Sequence, residues 1–240
     1  MTFSMFGDDG AGADFYRLAL PALAANDLSG PSVEFSLTYV FGGPDLGFGR
    51  GWQPSFPSYE FATRTLRYGR ERSVLDVPGE TASLRLSRAD EALRLVHRSG
   101  LVDVLSPAEG SPIALVSKTH APSGHSVSYA YSGERQLTSV DDQSRQLLRI
   151  ERSSDNIRII YPGDGGDLAT YVLTLKGGLV TEAVPPAGDA SWSFTYEDGQ
   201  LATARSPLGH VSEYEKGKLI AVRQPDGTVV SAANSETATA

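Results

Sequence analysis

The most constraining feature of this chain is a block of residues near its C-terminus that occurs twice, 18 residues apart. The positions that keep their residue type in both copies include Tyr196, Gly199, Leu201, Pro207 and Gly209 in the first, which correspond to Tyr214, Gly217, Leu219, Pro225 and Gly227 in the second. A short fixed period is typical of repeat proteins, in which each unit packs against its neighbours. The period therefore favours a shell, scaffold or binding surface over a single catalytic pocket.

Each unit has the length and the turn residues of a β-hairpin. Two strands of about 6 residues and two short turns fill the period. Gly199 and Gly217 stand where a tight hairpin needs a positive φ, and the segments 206–209 and 224–227 carry proline second and glycine fourth, which predicts type I turns. Residues 191–196 alternate between aromatic and small polar side chains, which predicts one buried face. A lone hairpin is marginal in water, so we expect the units to pair into a larger sheet.

Two weaker copies of the repeat lie upstream. Residues 131–142 keep the tyrosine, glycine and leucine of the unit, with one residue inserted before the leucine, Leu137. Residues 178–188 keep its glycine, leucine and Pro-x-Gly, beginning at Gly178 and Leu179. Four approximate copies make a repeat architecture the better interpretation of this region.

Strand patterns also occur along the rest of the chain. The strand-like runs are 15–20, 33–39, 84–86, 93–97, 101–105, 126–132, 148–151 and 157–159. The 25 glycines and 14 prolines of the chain lie between such runs, as many short strands require. Segments 88–94 and 142–149 are rich in helix-favouring residues but too short for a stable helix, so we expect turns that lead into strands. The sequence predicts an all-β fold of antiparallel hairpin repeats.

Composition narrows the class of protein. The 240 residues are 40% hydrophobic, enough for a core, and the net charge of −8 argues against binding nucleic acid or an anionic membrane surface. There is no cysteine for disulfides or thiolate sites, no secretory signal at the N-terminus and no apolar run long enough to span a membrane. We expect a flexible leader over 1–13, a repeat sheet domain over 14–230 and a flexible tail over 231–240.

The segment before Trp52 contains three alternate glycines, Gly47, Gly49 and Gly51. This pattern is partly similar to that of a dinucleotide-binding loop. That fingerprint has a different glycine spacing and opens a helix, whereas the proline-containing segment 53–57 that follows here cannot begin one. We expect instead a glycine-lined crossing of the backbone, with Trp52 as a core anchor.

The sequence predicts no catalytic, metal or cofactor site. The segment 164–167, with Asp164, Asp167 and the nearby Asp155, lacks the spacing of a calcium loop and is typical of a solvated hairpin turn. The four histidines lack zinc-ligand spacing, and there is no Gly-x-Ser-x-Gly nucleophile motif. No pair suited to a glycosidase stands out among the 29 acidic residues. Aromatic residues at strand positions could line a sugar-binding face, but their alternate spacing is more typical of a core.

The repeat resembles the YD repeat of bacterial Rhs proteins, of the C component of Tc insecticidal toxins and of the animal teneurins. The similarity rests on the tyrosine–glycine–leucine–valine order followed by Pro-x-Gly. Further segments are similar, in the same order, to the opening strands of the bacterial Rhs shell: 20–31, 35–39, 47–52, 97–105, 121–125 and 147–152. The resemblance covers roughly residues 14 to 230.

The resemblance implies part of a long β-sheet that spirals into a hollow cocoon around a toxic C-terminal domain. A chain of 240 residues would supply the first turns of such a wall. The aspartate-containing self-cleavage motif found near the end of family shells is missing, since Pro225-Asp226-Gly227 is a repeat turn.

We therefore expect a non-enzymatic shell module, without a cofactor, that encloses, shields or presents a toxin or effector polypeptide. It would assemble with further shell segments or a partner, or self-associate through its sheet edges. The alternatives are a carbohydrate- or protein-binding adhesive module and a glycoside-acting enzyme. The expected location is the bacterial cytoplasm, with export by a specialised secretion system left open.

Overall fold

The computed structural model describes residues 15–25, 30–69, 71–107, 111–186 and 190–231. Within these ranges the chain forms twenty-four β-strands and no helix. The strand pairs within them are antiparallel, so the prediction of an all-β antiparallel fold is confirmed. The predicted leader, 1–13, lies outside the described residues, as does the predicted tail apart from Ser231. The predicted bounds of the repeat domain stay a prediction.

The strands are short and are separated mostly by tight turns. In chain order they are β1 Phe15–Ala19, β2 Leu23–Ala24, β3 Ser32–Val33, β4 Ser36–Val40, β5 Trp52–Pro54, β6 Ser58–Glu60, β7 Thr65–Tyr68, β8 Glu71–Val74, β9 Gly79–Glu80, β10 Leu84–Ala89, β11 Ala92–His97, β12 Val102–Pro107, β13 Ile113–His120, β14 Ser126–Tyr131, β15 Leu137–Asp141, β16 Gln146–Arg152, β17 Asn156–Gly163, β18 Gly166–Lys176, β19 Leu179–Val184, β20 Trp192–Glu197, β21 Gln200–Arg205, β22 Val211–Glu215, β23 Lys218–Arg223 and β24 Val229–Ser231. Nineteen of them, β6 to β24, belong to one large sheet.

Both segments with helix-favouring residues form turns between strands. In 88–94, β10 ends at Ala89 and β11 begins at Ala92, and Asp90 between them has a φ of 52°. In 142–149, a turn leads into β16. Turns that lead into strands are therefore confirmed here, because the flanking alternation of apolar residues outweighs a weak helix propensity.

The chain divides into two compact units. The terminal unit comprises 1–20, 36–54 and 150–240, and the central unit comprises 21–35 and 55–149. Each is described below by the part of it that the structure describes.

In the terminal unit, β17 to β24 form consecutive antiparallel hairpins. Strands β1, β4 and β5 form a separate three-stranded sheet, here called the cover sheet. Trp192 and Phe194 on β20 and Ala204 on β21 are buried on one face, whereas Ser193 and Thr195 on the other face are more exposed. Strand alternation thus places the apolar residues on a single side of these hairpins.

In the central unit, β10 to β14 form a meander, and β6 pairs with both β7 and β13. Its core is built from leucines on adjacent strands. Leu86 and Leu95 are direct cross-strand partners, as are Leu93 and Leu105, and all four are buried. Such cross-strand pairs are the unit by which a sheet is stabilised.

All ten tyrosines of the chain are perturbed by burial. Loss of water around the ring and hydroxyl raises the pKa of every one of them: Tyr16, Tyr39, Tyr59, Tyr68, Tyr129, Tyr131, Tyr161, Tyr171, Tyr196 and Tyr214. Several hydroxyls donate to backbone carbonyls, as Tyr59 does to Leu75 at 2.9 Å and Tyr131 to Val116 at 2.8 Å. Ionisation of these tyrosines in the folded state is therefore unfavourable.

We predict that the protein unfolds cooperatively above pH of about 10, the ordinary pKa of tyrosine. A raised pKa means that the folded state keeps protons that the unfolded state loses. The free energy of unfolding therefore keeps its full value below that pH and decreases as the pH rises further. Phenolate absorbance and circular dichroism should change together. In denaturant the phenolate signal should instead appear near the ordinary pKa. Tyrosines that ionise near that value while the circular dichroism is unchanged would contradict the prediction.

Candidate functional site

The two clearest repeat copies form the same hairpin turn. Asp198 and Gly199 have φ values of 49° and 76°, and Lys216 and Gly217 have values of 48° and 84°. Two successive positive values are typical of a type I′ turn, whose twist matches the strands that it joins. The structure thus places Gly199 at the tip of hairpin β20–β21 and Gly217 at the tip of hairpin β22–β23.

The Pro-x-Gly segments form the other turn of each copy. The N–H of Gly209 donates to the carbonyl of Ser206 at 2.9 Å, and the N–H of Gly227 donates to the carbonyl of Gln224 at 3.0 Å. This bond joins the first and fourth residues of a β-turn. Proline stands second in both turns, Pro207 and Pro225, where its fixed φ suits a type I turn.

Each repeat tyrosine lies opposite the repeat leucine across a β-bulge. Tyr196 pairs with Leu201 and Tyr214 pairs with Leu219, and the register shifts just before each tyrosine. A bulge sets two residues against one and leaves one of them outside the regular ladder of hydrogen bonds. The tyrosine, glycine and leucine of the unit therefore encode one local structure, a tight turn followed by a bulge.

The upstream copy at 131–142 keeps this pair but changes the turn. Tyr131 pairs with Leu137 across an equivalent bulge. The residue with a positive φ is Arg135, at 61°, and its N–H donates to the carbonyl of Ser132 at 2.8 Å. Arg135, and not Gly133, thus precedes the leucine by two residues, as Gly199 does in the later copy. The inserted residue lengthens the turn and leaves the bulge unchanged.

The copy at 178–188 is offset by one residue from the sequence alignment. Leu175 pairs with Val180 across the bulge, and Gly177 and Gly178 both have positive φ. Val180, not Leu179, therefore takes the place that Leu201 has in the later copy. The leucine of the sequence pattern was one position too early, because residue type alone does not show where a register shifts.

Hydrogen bonds connect the cover sheet to the repeat face. The N–H of Leu201, beside the bulge, donates to the hydroxyl of Tyr39 at 3.1 Å. Trp52 Nε1 donates to the hydroxyl of Tyr196 at 3.1 Å, and that hydroxyl donates to the carbonyl of Val180 at 2.7 Å. Since a buried N–H without a partner is costly, the aromatic polar groups of the cover sheet allow the bulge to be buried.

Aromatic side chains fill the space between the cover sheet and the repeat face. Trp52 lies 5.0 Å from Phe194 and 5.6 Å from Tyr39 between ring centroids, and Tyr16 lies 5.7 Å from Phe194. All three pairs are edge-to-face, the arrangement that the ring quadrupoles favour. Trp52 is fully buried at the centre of this cluster.

The glycines before Trp52 let the backbone approach its neighbours closely. A Cβ on Gly49, whose φ is +90°, would lie 2.8 Å from a methyl carbon of Val180. A Cβ on Gly51, whose φ is +84°, would lie 2.5 Å from the ring of Tyr39. Trp52 then begins a strand, β5, where the dinucleotide fingerprint requires a helix.

Arg152 holds the same segment from the repeat side. Its Nε donates to the carbonyl of Gly47 at 2.8 Å, and its guanidinium lies 5.4 Å from the centre of the Phe48 ring. Burial lowers the pKa of Arg152, and the nearby charge of Asp45 opposes that shift. Asp45 in turn accepts the N–H of Gly47 at 2.7 Å, so charge and hydrogen bonds fix this loop.

The central unit contains a buried polar cluster that the sequence patterns did not reveal. His97 Nε2 and Asp103 Oδ2 lie 2.6 Å apart, and both side chains are almost completely buried. The hydroxyl of Thr119 donates to the other oxygen of Asp103 and lies 3.2 Å from the hydroxyl of Tyr129. The Tyr68 ring lies 4.6 Å from that of His97. These groups come from five strands, so only the register of the sheet brings them together.

The cluster satisfies a buried carboxylate rather than presenting a reactive group. Both oxygens of Asp103 have a side-chain partner, and the nearest hydroxyl, that of Thr119, donates to the carboxylate. The only sequence signal for it is that Asp103 and His97 occupy inward positions of their alternating strands. Buried charges in proteins are normally paired in this way.

Comparison with known proteins gives limited matches. No family model matches the chain. Teneurin-3 of Danio rerio is 29% identical over 147 residues, which cover 55% of this chain and 5% of that protein. A crystal structure of a porin-like protein from Bacteroides uniformis has a TM-score of 0.39 and 11% identity, over 87% of this chain and 93% of that one. Among the residues that the structure describes, none forms a helix long and apolar enough to cross a membrane.

We predict that Gly49→Ala destabilises the protein by about 1–3 kcal/mol more than Gly42→Ala. Both glycines have a positive φ, but a Cβ on Gly42 would meet nothing within 4 Å, whereas that on Gly49 would overlap Val180. The difference in the free energy of unfolding, measured in urea, therefore isolates the close approach of the backbone. Equal losses in the two variants would mean that the segment does not lie against Val180.

We predict that Asp103→Ala lowers the free energy of unfolding by about 3–5 kcal/mol, because it leaves His97 and Thr119 buried without their partner. Asp76→Ala is the matched control in the same unit, since it breaks the 2.8 Å ion pair of Asp76 with Arg64 on the surface. That loss should be about 0–1 kcal/mol. Similar losses from both substitutions in urea unfolding would show that the buried cluster is not a stabilising centre.

Proposed function

We propose that this chain is a non-enzymatic shell module of the Rhs/YD-repeat type, corresponding to the N-terminal part of the shell. It encloses, shields or presents a toxin or effector polypeptide, and it assembles with further shell segments or a partner. Production in a bacterial cytoplasm, with export of the assembled shell, belongs to the same proposal. Its mechanism is mechanical: paired hairpins separate a client polypeptide from solvent and from its targets.

The observation that carries the proposal is the repeated turn-and-bulge unit. The same type I′ turn and the same tyrosine–leucine pair return with the 18-residue period. A unit of this kind cannot bury its apolar face alone, so it exists to extend a sheet. The similarity to Teneurin-3 supports the proposal, because the YD resemblance of the repeat includes the teneurins.

Two further observations favour a structural role over the alternatives. Trp192 and Tyr214, the aromatic residues best placed to form a sugar-binding face, are buried. The most enclosed ionisable pair described, His97 with Asp103, is occupied by internal contacts. The buried aromatic residues weaken the adhesive candidate, and the internal contacts of His97 and Asp103 weaken the glycoside-acting candidate at this pair.

The proposal is tested by the association state of the full chain and by its binding of glycans. Light scattering over a wide range of protein concentrations should show a molar mass that rises with concentration, because exposed apolar surfaces such as that around Val230 associate. A glycan array run in parallel should show no specific binding. A strict monomer at every concentration, or a saturable glycan signal, would contradict the shell module, and the glycan signal would favour the adhesive alternative.

A further inference from the structure

The apolar face of the repeat hairpins loses its cover towards the C-terminal strands. Five residues stand directly opposite one another across β20 to β24 and share one face: Phe194, Ala204, Ser212, Val222 and Val230. Phe194, Ala204 and Ser212 are buried, Val222 is partly exposed and Val230 is 56% exposed. The same row of a single sheet face thus passes from core to surface within two strands.

The second row of this face shows the same change between equivalent positions of the repeat. Leu201 in the first copy is 2% exposed, whereas Leu219, 18 residues later, is partly exposed. Ala202 is buried, whereas its equivalent, Ile220, is 41% exposed. Larger apolar side chains therefore occupy the copy with less cover, the reverse of the distribution expected for a finished surface.

The first copy shows what kind of group covers such positions. Leu201 lies beneath the cover sheet and donates its N–H to the Tyr39 hydroxyl, and Phe194 contacts Trp52. The cover continues to Tyr214, whose ring centroid lies 5.5 Å from that of Phe41. Its last described contact is at the hairpin tip, where Gly217 approaches the Phe41 ring. The next strands, β23 and β24, lie beyond it.

We infer that the partly or largely exposed residues Leu219, Ile220, Val222 and Val230, here called the C-terminal strip, dock a partner polypeptide that presents a strand bearing aromatic side chains. This inference rests on the proposed function and specifies where assembly takes place. The repeat equivalence indicates the chemistry of the partner, since strands β4 and β5 cover the first copy with the aromatic side chains of Tyr39 and Trp52.

The partner strand comes from another polypeptide segment and not from the cover sheet itself. Tyr39 and Trp52 are already buried against the first copy, with both of their polar groups hydrogen-bonded there. A second copy of this chain holds its own cover sheet in the same way. The strip therefore takes a strand whose aromatic residues are free before assembly.

The test uses the full chain and a fluorescent synthetic peptide with the sequence of residues 36–54, which contains β4 and β5. Fluorescence anisotropy measures its binding. Val230→Glu should weaken binding at least tenfold, about 1.4 kcal/mol, because it places a charge on the docking face. Val229→Glu is the matched control: Val229 is exposed in the same strand but opposite Arg223, on the other face, and its substitution should leave affinity within about twofold.

Each result bears on the inference. Saturable binding that Val230→Glu and Ile220→Glu weaken, and that Val229→Glu does not, supports it. No saturable binding, equal effects on both faces, or equal binding of a peptide in which Tyr39 and Trp52 are serine overturns it. Circular dichroism of each variant shows that the fold is kept. Concentration-dependent association without peptide binding would overturn the strip and leave the shell proposal standing, so the two failures are distinct.

Discussion

The structure depends on covering one apolar face of a β-hairpin that cannot bury it alone. In the terminal unit the tyrosine–leucine bulge is hardest to cover, because a backbone N–H must be hydrogen-bonded there as well as shielded from water. The bulge takes a backbone N–H out of the ladder on a face that must be dry, and the Tyr39 hydroxyl accepts that N–H. Trp52 and Tyr196 complete the arrangement with hydrogen bonds of their own. The cover sheet thus supplies apolar area and polar partners together.

Close approach between backbone segments also helps to cover this apolar face. Gly49 and Gly51 bring the segment before Trp52 so near to Val180 and Tyr39 that no other residue would fit without movement. Arg152 and Asp45 then hold the loop by charge and hydrogen bonds. Where this cover stops, at the hairpin tip beside Gly217, the apolar face is left partly exposed. The inference about the C-terminal strip follows from that single change.

In the central unit, polar side chains are buried and satisfy one another by hydrogen bonds. Asp103 stands at an inward position between valines, and the His97 ring and the Thr119 hydroxyl satisfy its two oxygens. A buried carboxylate with both oxygens partnered is a structural feature more often than a reactive one.

The turn residues of the repeat were predictable because a positive φ or a fixed proline φ is a local property. Gly199 and Gly217 lie at positive φ in type I′ turns for that reason. The all-β class was predictable from alternation, even at 88–94 and 142–149, where residue propensity alone favours helix. Register was less accessible. The repeat pattern places its leucine at Leu179, whereas the structure has Val180 in that place beside the bulge, and strands β13 and β18 correspond to none of the predicted strand runs.

By itself, the sequence determined the class of fold, the period and the turns, since these depend on residues close together in the chain. Only the tertiary structure decided which side chains lie against each other: Trp52 beneath Tyr196, 144 residues away, and Asp103 between His97 and Thr119. The physical reason is that strand register and the cover of a face depend on many weak packing contacts between distant segments. These contacts cannot be predicted from any short pattern in the sequence.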